Sequence, residues 1–331
     1  MTTNSTRWIH PTLRGSPVLS SSSCLHFKIP APKPPTFQFV GQPIKAKAPA
    51  TPPPPIPRAN ERVSRPSDLF GRRELFLLST TVPFLVPSPI AVAADEIFQM
   101  REEIGKVLSK GKAAGVLRLV FHDAGTFDIY DKTGGMNGSI LHELDRPENK
   151  GLKKSVKASF ILEKAKSQID ILYPVSWADL IAVAGAEAVS VCGGPKIPVQ
   201  LGRIDSMLAD PEQKLPEESL DAAGLKQCFQ RTGFSTQELV ALSGAHTLGS
   251  KGFGNPTIFD NSYFKILLEK PWLSSAGMSA MIGLPSDRAL VEDDECTTWI
   301  SKYANDQNLF FEDFKDAYIK LVNTGARWRS I

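Results

Sequence analysis

The chain has 331 residues, 42% hydrophobic and 22% charged, which is long enough to bury a sizeable core. Its formal charge of +3 is unevenly placed. Residues 1–93 carry 11 of the 38 Lys and Arg and 3 of the 35 Asp and Glu, which leaves 27 basic and 32 acidic residues, a net charge of −5, over 94–331. An acidic body of this kind has no electrostatic footprint for nucleic acid.

Up to about Pro66 the chain is rich in Ser, Thr, Pro, Lys and Arg. Such a composition buries too little apolar surface to offset chain entropy, and it reads as an organelle transit peptide. The next stretch, GRRELFLLSTTVPFLVPSPIAVAADE, pairs Arg72 and Arg73 with an apolar run from Leu75 to Ile90. Ala91-Val92-Ala93 then supplies a small-residue cleavage site. The run holds Pro83, Pro87 and Pro89 and falls short of the roughly 20 residues of a spanning helix, so it reads as a removable signal rather than an anchor. A transit peptide followed by a twin-arginine signal is the arrangement of plant thylakoid-lumen proteins. The expectation is a leader over 1–93 and one domain over 94–331, in the lumen of the chloroplast thylakoid.

Within that domain, Ile97, Met100, Ile104, Val107 and Leu108 recur at helical spacing, and Gly111 is expected to end this first helix. A second helix is predicted over Ala113 to Ala124, carrying Arg118, Phe121 and His122. Thr133 to Ser139 reads as a loop. One long amphipathic helix is predicted from Leu152 to Leu172, with Leu152, Val156, Phe160, Ile161, Ala165 and Ile169 inward. Ser176 to Val191 is apolar almost all round and should be a central helix, stopped by Gly193-Gly194-Pro195. Gly202 to Pro216 reads as an irregular loop. Ser235 and Glu238 form a capping box for a helix whose end bears His246. Asn261–Leu268 and Phe310–Val322 are further helices. The acidic run from Glu292 to Glu295 reads as a solvated turn, and His142 and Cys192 as packing or surface residues. Cys192, Cys228 and Cys296 lack metal-binding spacing and leave at most one disulfide open. No period-two alternation or internal repeat appears: the domain is all-α.

Of the five histidines, His10 and His26 lie in the leader, and two of the other three sit in the motifs RLVFHDAGTFD and ALSGAHTLG. Arg118 and His122 are four apart and share a helix face. A histidine there can move a proton, and an arginine one turn away can stabilise a developing anion. On periodicity alone, such a pair is more often structural.

The stretches RLVFHDAGTFD, TGGMNGS, ENKGL, VSWADLIAVAG, GGPKIPVQLGRID, LVALSGAHTLG, NPTIFDNSYF and LPSDRAL occur in the order found in class I haem peroxidases. The chain most resembles the plant ascorbate peroxidases and, among them, the lumenal peroxidase-like branch. The resemblance implies a two-lobed haem-peroxidase fold with a haem cleft between helical lobes. It implies His122 as the base toward hydrogen peroxide, Arg118 as stabiliser of the leaving oxygen, and Asn149 as the group that orients the ring. His246 would be the iron ligand and Asp287 its carboxylate partner. The cofactor so implied is haem b.

The chain departs from that family in places. Phe121 stands where most class I members have Trp. Between His246 and Asn255 the loop is shorter, with Gly252 at the position of a tryptophan and Lys251 as its one basic residue, so the ascorbate-contacting arginine is missing. Lys110 aligns with a second ascorbate contact. Thr247, Asn255, Ile258 and Asp260 match a cation site of some members, but Phe253 replaces a ligand-bearing threonine, so potassium or calcium is not expected. Asp210, beside Pro211, is expected near the haem carboxylates, where it would weaken haem retention. Two readings result. One is hydrogen peroxide reduction at haem with an impaired ascorbate site. The other is a haem-free, non-catalytic lumenal partner of photosynthetic membrane complexes, peripherally associated with the thylakoid membrane.

Overall fold

The computed structural model describes residues 89–156, 161–272 and 282–330. The predicted leader falls outside these residues except for its last few, which begin α1 (Pro89–Val107). Among the described residues the chain is helical, with eleven α-helices, and its only β pairing is two isolated bridges.

The first lobe is built on α2 (Lys110–Ala124) and α5 (Trp177–Val191), which pack extensively on each other. Ser176 opens α5 by accepting the Asp179 N–H, and Leu180, Ile181, Val183 and Val189 on it are fully buried. Each such side chain contributes about 1.5–3 kcal/mol by leaving water. Gly185 faces α2 and α11 (Gln307–Asn323), where an added Cβ would stand 2.2 Å from the Tyr318 hydroxyl and 2.4 Å from Val120 Cγ2. α1 and α4 (Leu162–Leu172) cover the outer side of this pair.

The second lobe gathers α6 (Ala222–Arg231), α7 (Thr236–Ser243), α8 (Ser262–Leu268), α9 (Pro285–Ala289), α10 (Asp294–Asn305) and α11. Its core is a stack of rings: Phe259 lies 4.8 Å from Phe314 and 5.4 Å from Phe310, and Phe264 lies 4.9 Å from Phe310. Both halves of the Ser235–Glu238 capping box form at the start of α7. No single helix among the described residues is long and apolar enough to cross a membrane.

Four elements differ from the expectations. The first helix ends at Val107, not Gly111, because Ser109 is extended (φ −112°, ψ 160°) and Leu108 turns inward; Gly111 belongs to the first turn of α2. The stretch Leu152–Leu172 is not one helix. A single turn, α3 (Lys153–Val156), precedes α4, and Ile161 between them has non-helical angles; Phe160 lies outside the described residues. The acidic run is a helix start: Asp293 caps α10 by accepting the Cys296 N–H, and Lys226 pairs with Asp293 and Glu295. Carboxylates there meet the positive end of the helix dipole. Finally, α6 lies between the loop ending at Pro216 and the Ser235 capping box, where no element was predicted, and Asp221 caps it. The three described cysteines are free thiols, two of them buried, and His142 is exposed.

Candidate functional site

Between the lobes lies a cavity of about 390 Å³, within the range of ligand pockets. One wall is α2, which presents Arg118, Phe121 and His122; the other is the 3-10 turn Gly244–Thr247 that follows α7, which presents His246. Gly244 lets that turn lie against Phe264 and Phe310, since any Cβ there would meet their rings within 2.8 Å. Phe314, Tyr318 and Leu321 of α11 close the apolar interior.

His122 is held by Asn149, whose Oδ1 lies 2.6 Å from Nδ1. Arg118 Nε donates to the other nitrogen, Nε2, at 3.1 Å. A guanidinium N–H can only donate, so Nε2 accepts and the ring proton sits on Nδ1, given to Asn149. The remaining Arg118 groups donate to the carbonyls of Lys150 (3.0 Å) and Glu148 (2.7 Å). Burial, and then the Arg118 charge, push the His122 pKa down to about 4. The ring is therefore neutral at physiological pH, with Nε2 as its basic atom.

Asn149 is itself fixed. Its amide donates to the Glu143 carbonyl, and the Glu143 carboxylate accepts from the Asp210 N–H and from Arg146. Asp123, next to His122, gathers the N–H groups of Asn137, Gly138 and Ile140, which pins the TGGMNGS loop to the end of α2. Asp210 overturns its expectation. It is buried, accepts from Thr126 Oγ1 (2.7 Å) and Asn137 Nδ2 (3.1 Å), and does not line the cavity. Its carboxylate instead ties Thr126, just past α2, to Asn137 of that loop.

On the opposite wall, His246 Nδ1 lies 2.7 Å from Asp287 Oδ1. Asp287 also accepts from the Tyr263 hydroxyl (2.9 Å) and the Leu284 N–H (2.7 Å). Burial alone would lower the His246 pKa and raise that of Asp287, but their mutual attraction wins, holding His246 above and Asp287 below its ordinary value. The His246 side chain keeps 40% of its surface accessible because it opens on the cavity, and Nε2 is the nitrogen left to face it.

Arg118, His122, Asn149, His246 and Asp287 are thus assembled at one place. The cation-site candidates are arranged for each other and their neighbours. Thr247 donates to Asp260 at 3.0 Å, and Asn255 Oδ1 accepts from Thr257 twice, while Ile258 follows in the same turn. Among the described residues no group of three or more His, Cys, Asp or Glu could hold a metal ion. Lys110 is exposed and does not line the cavity, whereas Lys251 does. The short loop closes on itself, with Gly249 N–H on the Pro256 carbonyl and Gly283 N–H on the Lys251 carbonyl. Gly252 has φ +94°, a conformation side chains rarely adopt, and Ile282 lies against it.

The sequence reading passed over Tyr263, Glu217 and Glu218. NSYF offered a signal for the first, but its hydroxyl's partner is 24 residues away. Both glutamates line the cavity from the loop before α6.

A haem fits the two walls by their chemistry: an apolar lining, one imidazole nitrogen free toward the cavity from the carboxylate-backed side, and a neutral base with an arginine opposite. A family model for peroxidases matches residues 98–255. Among known proteins, the chain is 64% identical over 263 residues to the Arabidopsis thaliana protein named "Putative L-ascorbate peroxidase 6", covering 79% of each. It is 40% identical over 233 residues to "L-ascorbate peroxidase 2, cytosolic" of the same plant, covering 67% of this chain and 88% of that one. It is 38% identical over 266 residues to a "Putative heme-binding peroxidase" of Cryptococcus neoformans, covering 69% and 78%.

Proposed function

Because the chain belongs to the peroxidase family, on its ascorbate peroxidase-like side, we propose that it reduces hydrogen peroxide at haem b held between His122 and His246. One observation carries this reading: two imidazoles on opposite walls of one cavity, one held by an amide and an arginine, the other backed at Nδ1 by a carboxylate. Haem would supply the electrons that cleavage of the O–O bond requires. The chain supplies the proton path. His122 Nε2 takes a proton from peroxide and returns it to the departing oxygen, which leaves as water. Arg118 occupies that nitrogen in the structure, so proton uptake requires the guanidinium to release it; released, it stabilises the negative charge on the departing oxygen. His246, backed by Asp287, would hold the iron.

The donor side is impaired in this reading. Gly252, the closed loop and the exposed Lys110 leave ascorbate with Lys251 as its basic contact at the cavity. The leader pattern supports a location in the thylakoid lumen. The test is a haem titration of the purified protein followed by peroxide turnover with ascorbate. The expected result is a saturable Soret shift lost in His246→Ala, with weak ascorbate oxidation. Oxidation as fast as in ordinary ascorbate peroxidases would overturn the impaired donor site.

A second reading is a haem-free binding partner of thylakoid membrane complexes. Arg118 favours it, with all three donor groups satisfied by the protein itself, as do the two glutamates at the cavity. Absence of His246-dependent haem binding would make it the reading of choice.

A further inference from the structure

The cavity wall is apolar along Leu117, Val120, Phe229, Leu239, Phe314 and Leu321. Its formal charges are few: Arg118 and Lys251 as cations, Asp287, Glu217 and Glu218 as anions. Asp287 is answered by His246, and the Arg118 groups are given to His122 and two carbonyls. Glu218 differs from both. It is exposed, and its main chain is fixed where its carbonyl accepts the Ser286 N–H at 3.0 Å, one residue from Asp287. Its charge is felt at both walls, where it favours the protonated forms of Arg118 and His246.

Haem is an apolar ring bearing two carboxylates. The apolar wall cannot replace their hydration, so they must meet the polar part of the lining. That part holds Glu218. We infer that Glu218 is a specificity-determining residue of this cavity, an anion on a fixed stretch of main chain that opposes the carboxylates of haem and weakens its retention. The inference rests on the haem reading given above. Like-charge repulsion across a partly screened site lowers affinity on the order of tenfold. Glu217 is the natural control: it lines the same cavity, but its Oε2 accepts from Ser219 Oγ at 3.4 Å.

The experiment is a titration of ferric haem into the full chain, read by Soret absorbance, for the wild type, Glu218→Gln, Glu217→Gln and the Glu218→Gln/His246→Ala double variant. Glu218→Gln should bind about tenfold more tightly at low salt, with a gain that shrinks as ionic strength rises. Glu217→Gln should change affinity less, and the double variant should lose the Soret shift. Equal, His246-dependent affinity in wild type and Glu218→Gln would overturn this inference and leave the haem reading standing. No His246-dependent shift in any variant would overturn both.

Discussion

His122 and His246 are the same side chain on two walls of one cavity, and their protons behave oppositely. His122 has an amide oxygen and a guanidinium for partners, and its pKa falls to about 4. His246 has a carboxylate, shared with Tyr263 and the Leu284 amide, and its pKa rises. Burial disfavours the charged ring at both, so burial does not make the difference. The difference is the charge of the group that holds Nδ1. A neutral anchor orients a base without raising its pKa, and an ionised anchor raises the ring's pKa and makes its free nitrogen a stronger electron donor.

The contrast breaks most severely if the carboxylate is removed. Asp287→Ala should cost about 3 kcal/mol in urea unfolding, because the His246 ring, the Leu284 N–H and the Tyr263 hydroxyl all lose their buried acceptor. In the same variant the His246 pKa, followed by NMR, should drop below its ordinary value, since burial and Lys251 would then be opposed by the Glu218 charge alone. An unchanged His246 titration would show that Asp287 is not what raises its pKa.

A smaller effect separates the walls by pH. The unfolded His122 ring binds its proton near pH 6.5 and the folded one near 4. Between those values the unfolded state holds more protons, so acidification through this window destabilises the fold. Replacing His122 with Gln should remove that acid loss, on the order of 1–2 kcal/mol after discount for screening at the open cavity. His246 acts with the opposite sign: its contribution is full below 6.5 and is lost as pH rises through its folded value. Urea unfolding from pH 4 to 8 for both single variants would read the two slopes separately; slopes of the same sign would refute the contrast. The smallest effect is a control. Ser235→Ala should cost about 1 kcal/mol by uncapping α7, yet leave the His246 titration unchanged.

Much of this arrangement was legible in the sequence, for a physical reason. Arg118 and His122 are fixed by helical spacing, α5 by an unbroken apolar run, and α7 by a capping box that needs two residues three apart. Asn149 and Asp287 lie 27 and 41 residues from the histidines they hold and were reached through the resemblance, not the local pattern. Local signals misled where a long-range contact overrode them. Asp210 read as a free carboxylate, yet Thr126 and Asn137 bury it. The run from Glu292 to Glu295 read as a solvated turn, yet Lys226, far away in the chain, helps fix it as a helix start. Periodicity carried through Leu152–Leu172, but Ile161 breaks it. Glu218 had no pattern at all, since only folding brings it to the cavity.

Gly185 never reaches the cavity, yet it governs the cavity's width. The side chains that an added methyl would strike there, Tyr318 and Val120, are themselves part of the cavity lining. A hydrogen atom in place of that methyl is what allows this lining to sit back toward α5. The volume offered to a guest is therefore regulated from the dry side of the wall, and a substitution made out of the guest's sight would narrow its room as surely as one made in front of it.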